Sequence, residues 1–310
     1  MRPEQISVII PLWNKRAEVG AAIASVLAQT AQPLEIVVVD DGSTDGSAAV
    51  VEAFTSPLVR LIRQPNSGVS AARNRAIAEA RGEWVALLDA DDEWRPEFLE
   101  KVSLLSLEYP DCKAFGTGFD IRDEQGRLTR GSTPAARGRV DYFAEAMHRY
   151  VLIPSATVLH RQTVISAGGF PEGMRLGEDQ YLWTKVARTA AVGFLPEPLV
   201  IYSRAAQNRS AAVYRPEQTR FSFEDLYDPA ASELSNEYVA RVAIGKALTI
   251  SAKGGTEEAR RAARFFAYTR RNRFALWKLR LLTLLPARLR PAVARLYNRL
   301  AWRLARKGLN

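Results

Sequence analysis

Cysteine is almost absent from this chain, which has 310 residues and a single thiol at Cys112. One cysteine excludes an intramolecular disulfide framework and leaves too few thiols for a structural zinc site built on cysteine. We therefore expect the chain to work in a reducing compartment, the cytoplasm. Its first residues contain neither the apolar core nor the cleavage site of a signal peptide, so we predict no export.

Long apolar runs are also missing. Crossing a bilayer takes roughly 18 uninterrupted apolar residues, and even the apolar cluster at 279–285 contains Arg280. The two histidines, His148 and His160, lack the spacing of a metal-binding pair, and neither a P-loop nor a dinucleotide-binding glycine pattern is present. The hydrophobic content of 47% instead predicts a globular protein with one large core or two modest ones.

Positive charge is concentrated at one end of the chain. Residues 256–310 contain 15 Lys or Arg and 2 Asp or Glu, whereas residues 1–255 contain 28 and 32. Helical spacing in this basic tail predicts amphipathic helices. The predicted apolar stripe comprises Leu289, Val293, Leu296, Leu300 and Leu304, and the opposite face carries Arg295, Arg299 and Arg306.

Two interpretations of the basic tail stay open. Its cationic face would suit anionic phospholipid, which would place the protein peripherally at the inner face of a membrane. Alternatively, the apolar stripe packs on the rest of the protein or on a second copy and leaves the arginines in solvent. Nucleic acid is not a predicted partner, because the tail matches no recognised nucleic-acid-binding module.

Strands and helices alternate near the start of the chain. Apolar, β-branched runs are typical of buried strands, and segments with helical spacing lie between them. This alternation predicts an α/β fold with a mostly parallel, Rossmann-like sheet flanked by helices. The pattern after about residue 206 is helical. The predicted strands are 6–12, 34–40, 59–62, 84–88, 114–119 and 156–160.

Three of the predicted strands end in polar turns, at 11–14, 40–43 and 89–92. In parallel α/β sheets, ligands bind beyond the carboxyl ends of the strands, so we expect these turns to form one rim. The turn at 40–46 is rich in Asp, Ser, Thr and Gly, so it could hold a nucleoside or be an ordinary turn.

Asp89 and Asp91 follow the buried-looking strand at 84–88 with one residue between them. In an extended segment, positions i and i+2 point the same way. Paired carboxylates suit Mg²⁺ or Mn²⁺, which take further ligands from a diphosphate. A simpler interpretation stays open, in which Asp91 or Asp92 caps the helix that begins near Pro96.

Several segments of the chain resemble glycosyltransferase family 2 in order and spacing. The resemblance covers about residues 5–205 and does not extend to the helical tail. The matching segments are 7–14 (SVIIPLWN), 37–45 (VVVDDGSTD), 66–74 (NSGVSAARN), 82–92 (GEWVALLDADD), and 168–170 (GGF) followed by 177–183 (GEDQYLW).

The resemblance implies a GT-A fold and a nucleotide-sugar donor, with UDP as the commonest nucleotide of the family. It implies a catalytic domain at 1–205, with a donor-binding half at 1–110 and an acceptor half at 111–205, followed by a basic helical region at 206–310. The family's Gln-x-x-Arg-Trp motif of processive members is absent, so we expect one sugar per encounter. By the same resemblance the donor contacts are Pro11, Leu12, Trp13, Asp41, Asp89 and Ala90, and the metal ligand is Asp91.

Glu178 and Asp179 are the predicted catalytic carboxylates, because inverting transfer needs a base that takes the proton of the acceptor hydroxyl. The resemblance indicates Asp179 for this role, although the pair could instead cap a helix. Arg73 could face the diphosphate or be a solvated charge. Trp13 departs from the tyrosine more common in the family, so its base pocket could differ.

The sequence thus predicts a metal-dependent inverting glycosyltransferase whose acceptor is a glycan or lipid-linked glycan of cell-surface polysaccharide synthesis. Two alternatives are carried with it. A nucleotidyltransferase would share the nucleotide-binding architecture, but the turn at 12–16 lacks the glycine-rich loop typical of that class. A catalytically inactive binding module would retain the fold without its chemistry.

Overall fold

The computed structural model describes residues 1–204, 219–253 and 255–293. These residues fall into two compact units, the first formed by 1–204 with 219–221 and the second by 222–253 with 255–293. Most of the predicted tail stripe lies outside the described residues, namely Leu296, Leu300, Leu304, Arg295, Arg299 and Arg306.

A single mixed sheet forms the centre of the first unit, with strand order β3-β2-β1-β4-β9-β6-β10-β5 and with β7 and β8 paired to β6 and β10. The strands are β1 (Ile6–Leu12), β2 (Glu35–Asp41), β3 (Val59–Gln64), β4 (Trp84–Leu87), β5 (Glu93–Trp94), β6 (Cys112–Arg122), β7 (Leu128–Arg130), β8 (Gly138–Val140), β9 (Thr157–His160) and β10 (Ala191–Ser203). The α-helices are α1 (Val19–Leu27), α2 (Ser47–Glu52), α3 (Val69–Glu79), α4 (Phe98–Glu108), α5 (Tyr142–Ala146), α6 (Arg161–Ser166) and α7 (Glu178–Thr189), with 3-10 turns at Pro3–Gln5 and Pro154–Ala156.

The half of the sheet built from β1 to β4 is parallel, as the sequence predicts. β1 pairs in parallel with β2 and β4, and β2 pairs in parallel with β3. All seven residues of β2 are buried, as expected for a parallel strand covered by helices on both faces. The carboxyl ends of β1, β2 and β4 therefore lie at one edge and carry the three polar turns.

The other half departs from the predicted mostly parallel sheet. β9 lies between β4 and β6 and runs antiparallel to both, and β10 is parallel to β6 but antiparallel to β5 and β8. The α/β class holds, but the sheet is mixed. An apolar strand pattern reports burial and not direction, so the insertion of β9 could not be inferred from its sequence.

Gly42 brings the turn after β2 against the loop that precedes α3. Its φ is +73°, and a Cβ atom at this position would lie 2.9 Å from the backbone nitrogen of Asn66. A side chain would therefore meet both an unfavourable backbone conformation and a clash with backbone. Glycine is required here for the two polar loops of the rim to approach each other.

The second unit is helical. In it, the carboxylate of Glu237 is buried and accepts hydrogen bonds from the backbone N–H groups of Arg270 and Arg271 and from the Asn272 amide. Among the described residues no helix is long and apolar enough to cross a membrane. The helices are α8 (Glu233–Ala252), α9 (Glu257–Phe265) and α10 (Arg273–Leu284), with 3-10 turns at Phe223–Leu226, Phe266–Tyr268 and Ala287–Leu289.

Candidate active site

The turn after β1 is tied to the turn after β2. The backbone N–H of Asn14 donates to Ser43 Oγ at 3.0 Å, and the N–H of Thr44 donates to Asn14 Oδ1 at 2.8 Å. Trp13 is 45% exposed beside this junction, whereas Leu12 is packed in the core. Of the predicted donor contacts in this turn, Trp13 presents an aromatic ring to solvent, Pro11 is half-buried, and Leu12 could contact a donor only through its backbone.

Asp41 holds the loop at the start of α3. Its buried carboxylate accepts hydrogen bonds from the N–H groups of Ser67 and Gly68, each at 2.8 Å, and from Gln64 Nε2. Asp40 accepts from Ser43 N–H within the turn itself, as the ordinary-turn interpretation predicts. Asp41 therefore organises the rim, and its contact with a donor stays a prediction.

The two carboxylates of the Asp89-Ala90-Asp91 motif meet two different cations. Asp89 Oδ1 accepts from Arg73 Nη2 at 2.7 Å, and Asp91 Oδ2 accepts from Lys15 Nζ at 2.8 Å. Ala90 is packed in the core, so only its backbone is available to a ligand. The two side chains thus reach different partners at the same edge of the sheet.

Asp92 fixes the Asp89-Ala90-Asp91 motif to the neighbouring segments through hydrogen bonds. Its buried carboxyl group accepts hydrogen bonds from the Ser155 hydroxyl and from Ser203 N–H. Burial raises its pKa well above the usual range, and the charges of Asp91 and Asp89 add to this. The capping interpretation is wrong for this segment, because α4 follows Glu97 at its N-cap and no side chain caps it.

Arg73 joins the aspartate motif to the predicted catalytic pair. Arg73 is 3% exposed, and its guanidinium group donates to Asp89 and forms an ion pair of 3.3 Å between Nη1 and Glu178 Oε1. It also lies 5.0 Å from the centre of the Phe170 ring. Burial opposes its charge, but the Asp89 and Glu178 carboxylates outweigh burial and raise the pKa of Arg73. The solvated-charge interpretation of Arg73 is therefore wrong.

Glu178 and Asp179 occupy the first turn of α7, after Gly177 in a left-handed conformation at φ +80°. Burial and the neighbouring Asp179 charge raise the pKa of Glu178 to about 7. Burial likewise raises the pKa of Asp179. The Asp179 carboxylate accepts a hydrogen bond from Gln180 N–H, and the Arg73 charge opposes the rise of its pKa. Among the described residues Glu178 is thus the member of the pair that forms an ion pair with Arg73.

Negative charge exceeds positive charge in this cluster, counting the described residues. Within that part of the chain, no set of three or more His, Cys, Asp or Glu side chains could hold a metal ion alone. Mg²⁺ does not need such a set, since one or two carboxylates and substrate phosphates commonly hold it. Asp91 fits this requirement, because 16% of its side chain is exposed. The carboxyl groups are Asp89, Asp91, Asp92, Glu178 and Asp179, and the cations are Lys15 and Arg73.

Two members of this cluster, Lys15 and Asp92, are absent from the predicted site. A local signal exists for Lys15, because a cation directly follows the aromatic turn at 11–14. The anchoring role of Asp92 has no local signal, since its partners Ser155 and Ser203 lie far along the chain.

Residues 7–164 match the family model described as glycosyl transferase family 2. The matched segment is about half of the chain and includes the Asp89-Ala90-Asp91 motif and Arg73. The chain belongs to glycosyltransferase family 2. The family predicted from the sequence is thereby confirmed, and the nucleotidyltransferase alternative is not favoured.

Two curated proteins are similar to this chain over shorter segments. The uncharacterised glycosyltransferase YibD of Escherichia coli K12 is 42% identical over 106 residues, which are 34% of this chain and 31% of YibD. The succinoglycan biosynthesis protein ExoO of Rhizobium meliloti is 42% identical over 98 residues, or 31% of this chain and 28% of ExoO. The chain spans about a third of the length of these relatives.

A solved structure shares the fold over most of the chain. The crystal structure of S. aureus TarS 1-349 in complex with UDP-GlcNAc superimposes with a TM-score of 0.61 and 22% identity. The superposition covers 88% of this chain and 75% of the TarS chain. The predicted fold class, an α/β GT-A fold followed by helices, is confirmed, with the sheet more mixed than predicted.

Proposed function

We propose that this chain transfers one sugar per encounter from a UDP-sugar to a hydroxyl of a glycan or lipid-linked glycan, with inversion and with Mg²⁺ or Mn²⁺. The observation that carries the proposal is the bridge from Asp89 through Arg73 to Glu178. It joins the donor motif of a family 2 fold to the first turn of α7, which carries the predicted base Asp179. TarS bound to UDP-GlcNAc supports a UDP-sugar, and the name of ExoO supports polysaccharide synthesis.

The donor lies along the rim in this proposal. Trp13 stacks on the base through its exposed ring, and Asp41 and the loop it organises bind the nucleoside. Asp89, held by Arg73, contacts the ribose. Asp91 would hold Mg²⁺ or Mn²⁺, and the metal would offset the negative charge of the diphosphate leaving group.

Asp179 takes the proton from the acceptor hydroxyl as that oxygen attacks the anomeric carbon. Burial strengthens this carboxylate as a base by raising its pKa. Glu178 and Arg73 act as positioning residues, because their ion pair fixes the start of α7 relative to Asp89. Lys15 pairs with Asp91 in the free protein. In this proposal, Lys15 pairs with a donor phosphate when the metal takes its place at Asp91.

Thermal stabilisation of the purified protein by UDP, GDP and dTDP, each with and without Mn²⁺, tests the donor site. A nucleotide at 100 times its Kd stabilises a fold by about 2.7 kcal/mol. We expect a shift with UDP that depends on Mn²⁺ and is lost in Asp91→Asn. Asp111→Asn is the matched control, because Asp111 is an exposed carboxylate paired with Arg139.

Three outcomes would contradict the proposal. Stabilisation by GDP or dTDP but not by UDP would show that the donor carries that nucleotide and not UDP. If the melting-temperature shift with UDP and Mn²⁺ were unchanged in Asp91→Asn, Asp91 would not be the metal ligand. Nucleotide binding without sugar transfer to any glycan or glycolipid acceptor would restore the inactive-module alternative.

The cellular setting is also a proposal. We infer that the protein works in the cytoplasm at the inner face of a membrane, where a lipid-linked acceptor would be reached. This part is tested by fractionating cells and assaying where the transferase activity sediments.

A further inference from the structure

Helix α10 in the second unit presents an apolar stripe to solvent. The helix contacts α8 and α9, and its buried residues are Leu276, Leu279 and Thr283. The stripe lies on a different face, because its first three members each precede a buried residue by two positions, which is about 200° around the helix. Its members and their exposed fractions are Phe274 at 65%, Trp277 at 55%, Leu281 at 44% and Leu284 at 78%.

Single exposed apolar residues are ordinary, but four in one line on a helix are not. The rings of Phe274 and Trp277 stack with centroids 5.9 Å apart and planes within 13°. Lys278 Nζ lies 4.2 Å from the centre of the Phe274 ring. The stripe therefore begins with a flat aromatic surface that already carries a cation.

Cations line both edges of this α10 stripe. Helical spacing places Arg273 and Arg280 along one edge and Lys278 along the other. Residues 259–310 contain 15 basic residues and no acidic residue. A partner for this face must therefore carry negative charge and also offer an apolar region that can bury the four exposed side chains.

A bilayer surface with anionic phospholipid meets both requirements. Its headgroups pair with Arg and Lys, while Trp, Phe and Leu enter the boundary between headgroups and acyl chains. Nucleic acid carries negative charge but has little apolar surface in which these side chains could be buried. A second copy of the same face would oppose cation to cation across a symmetric interface.

We propose that the α10 stripe docks the second unit on an anionic bilayer surface, with the helix lying in the interface. No described helix is long and apolar enough to span a bilayer, and a helix that lies in the interface does not need that length. The proposal stands on the second unit alone. It can hold or fail whatever reaction the first unit performs, because vesicle binding is measured without donor or acceptor.

Cosedimentation with vesicles tests the docking directly. We expect the full chain to bind vesicles of equal phosphatidylglycerol and phosphatidylcholine, and to bind pure phosphatidylcholine at least about tenfold more weakly. The double variant Phe274→Ser with Trp277→Ser should lose at least about tenfold in partitioning. Arg273→Gln with Arg280→Gln should lose about tenfold on anionic vesicles and little on neutral ones.

Leu104→Ser with Leu107→Ser is the matched control for the apolar variant. Both leucines are exposed and lie three residues apart on α4 in the first unit. This control should bind vesicles like the wild type. All variants change exposed side chains, so their melting temperatures should match that of the wild type.

Fluorescence reports whether Trp277 itself enters the lipid. Brominated anionic lipids should quench more emission in the wild type than in Trp277→Phe, since five other tryptophans are common to both. Equal binding to neutral and anionic vesicles would overturn the proposal, as would unchanged binding of the Phe274 and Trp277 double variant. A vesicle-free dimer that this double variant dissociates would assign the stripe to a second copy instead.

Discussion

Buried carboxylates lie at both ends of the parallel strands in the first unit, and their surroundings differ. Glu35 begins β2 at the amino end and accepts hydrogen bonds from Ser7, from the Arg81 N–H and guanidinium groups, and from Arg60. Burial raises its pKa, but these partners outweigh burial and leave the pKa below its usual value.

At the carboxyl end of the parallel strands, burial outweighs the partners that stabilise ionised carboxylates. There the pKa values of Asp92, Glu178 and Asp179 are raised, because each carboxyl group is removed from water beside other carboxylates. The carboxylate at the amino end is thus matched by cations and stabilises the fold, whereas the rim retains surplus negative charge. Such a surplus is costly to a fold but suits a cation and a base.

The largest expected effect concerns the base. Asp179→Asn should lower kcat by about 10²-fold or more, since general-base catalysis contributes that much. Its melting temperature should not fall, because one charge leaves a crowded site. Turnover is measured with saturating donor, beside melting curves. Near wild-type turnover would remove Asp179 from its role.

Glu35→Gln should give the reverse pattern and serves as the control for Asp179→Asn. Removing this charge takes the carboxylate partner from Arg81 and leaves Arg60 paired with Glu79, and hydrogen bonds to charged groups contribute about 1.5–3 kcal/mol each. We expect urea titration to show a free energy of unfolding lower by about 2 kcal/mol. The kcat per folded molecule should stay unchanged. A large loss of kcat would contradict the assignment of stability to the amino end and catalysis to the rim.

The pH dependence of stability should differ in sign between the two ends. Glu178 ionises near pH 7 in the fold, so its contribution is fully present below its ordinary pKa and is lost as pH rises towards 7. Relative to Glu178→Gln, the wild type should lose on the order of 2 kcal/mol between about pH 4.5 and 7. Parallel stability curves for these two proteins would show that Glu178 is not shifted.

Glu35 should behave in the opposite way. Its pKa is lowered in the fold, so its contribution is present above its ordinary value and is lost as pH falls through the folded pKa. The deficit of Glu35→Gln should therefore persist from pH 5 to 8 and shrink in acid. Urea titrations of both variants and the wild type from about pH 2 to 8 measure the two slopes together.

The smallest expected effect is at Trp13, which belongs to the rim but carries no charge. Trp13→Ala should raise the donor KM about fivefold to tenfold, because one stacking contact is worth about 1 kcal/mol. Stability should not change, since the ring is 45% exposed. Trp13→Tyr should restore most of the affinity, and an unchanged KM in Trp13→Ala would place the base elsewhere.

Local patterns were sufficient for the parallel half of the sheet. β1 begins at Ile6 and ends at Leu12 as predicted, β2 to β4 lie within a few residues of their predicted bounds, and helices α1 to α3 alternate with these strands. Their β-branched runs and helical spacing are read from neighbouring residues. The motif at 89–91 was also visible, because two carboxylates follow a buried strand.

The connections between distant segments were not visible. Nothing near Arg73 in the sequence indicates that it pairs with Glu178, which is more than a hundred residues away, and nothing near Asp92 indicates Ser203. The antiparallel direction of β9 likewise has no signal in the neighbouring sequence. Each depends on which segments pack together, and that is decided by the burial of the whole core.

The sequence by itself determined the family, the order of the first strands and the chemical types of the rim residues, because these depend on short-range spacing and side-chain chemistry. Only the tertiary structure decided which carboxylates are neutralised and which are crowded. Charge balance at a buried group depends on partners brought together through space, so Glu35 and Glu178, the same residue type in one chain, have pKa values shifted in opposite directions.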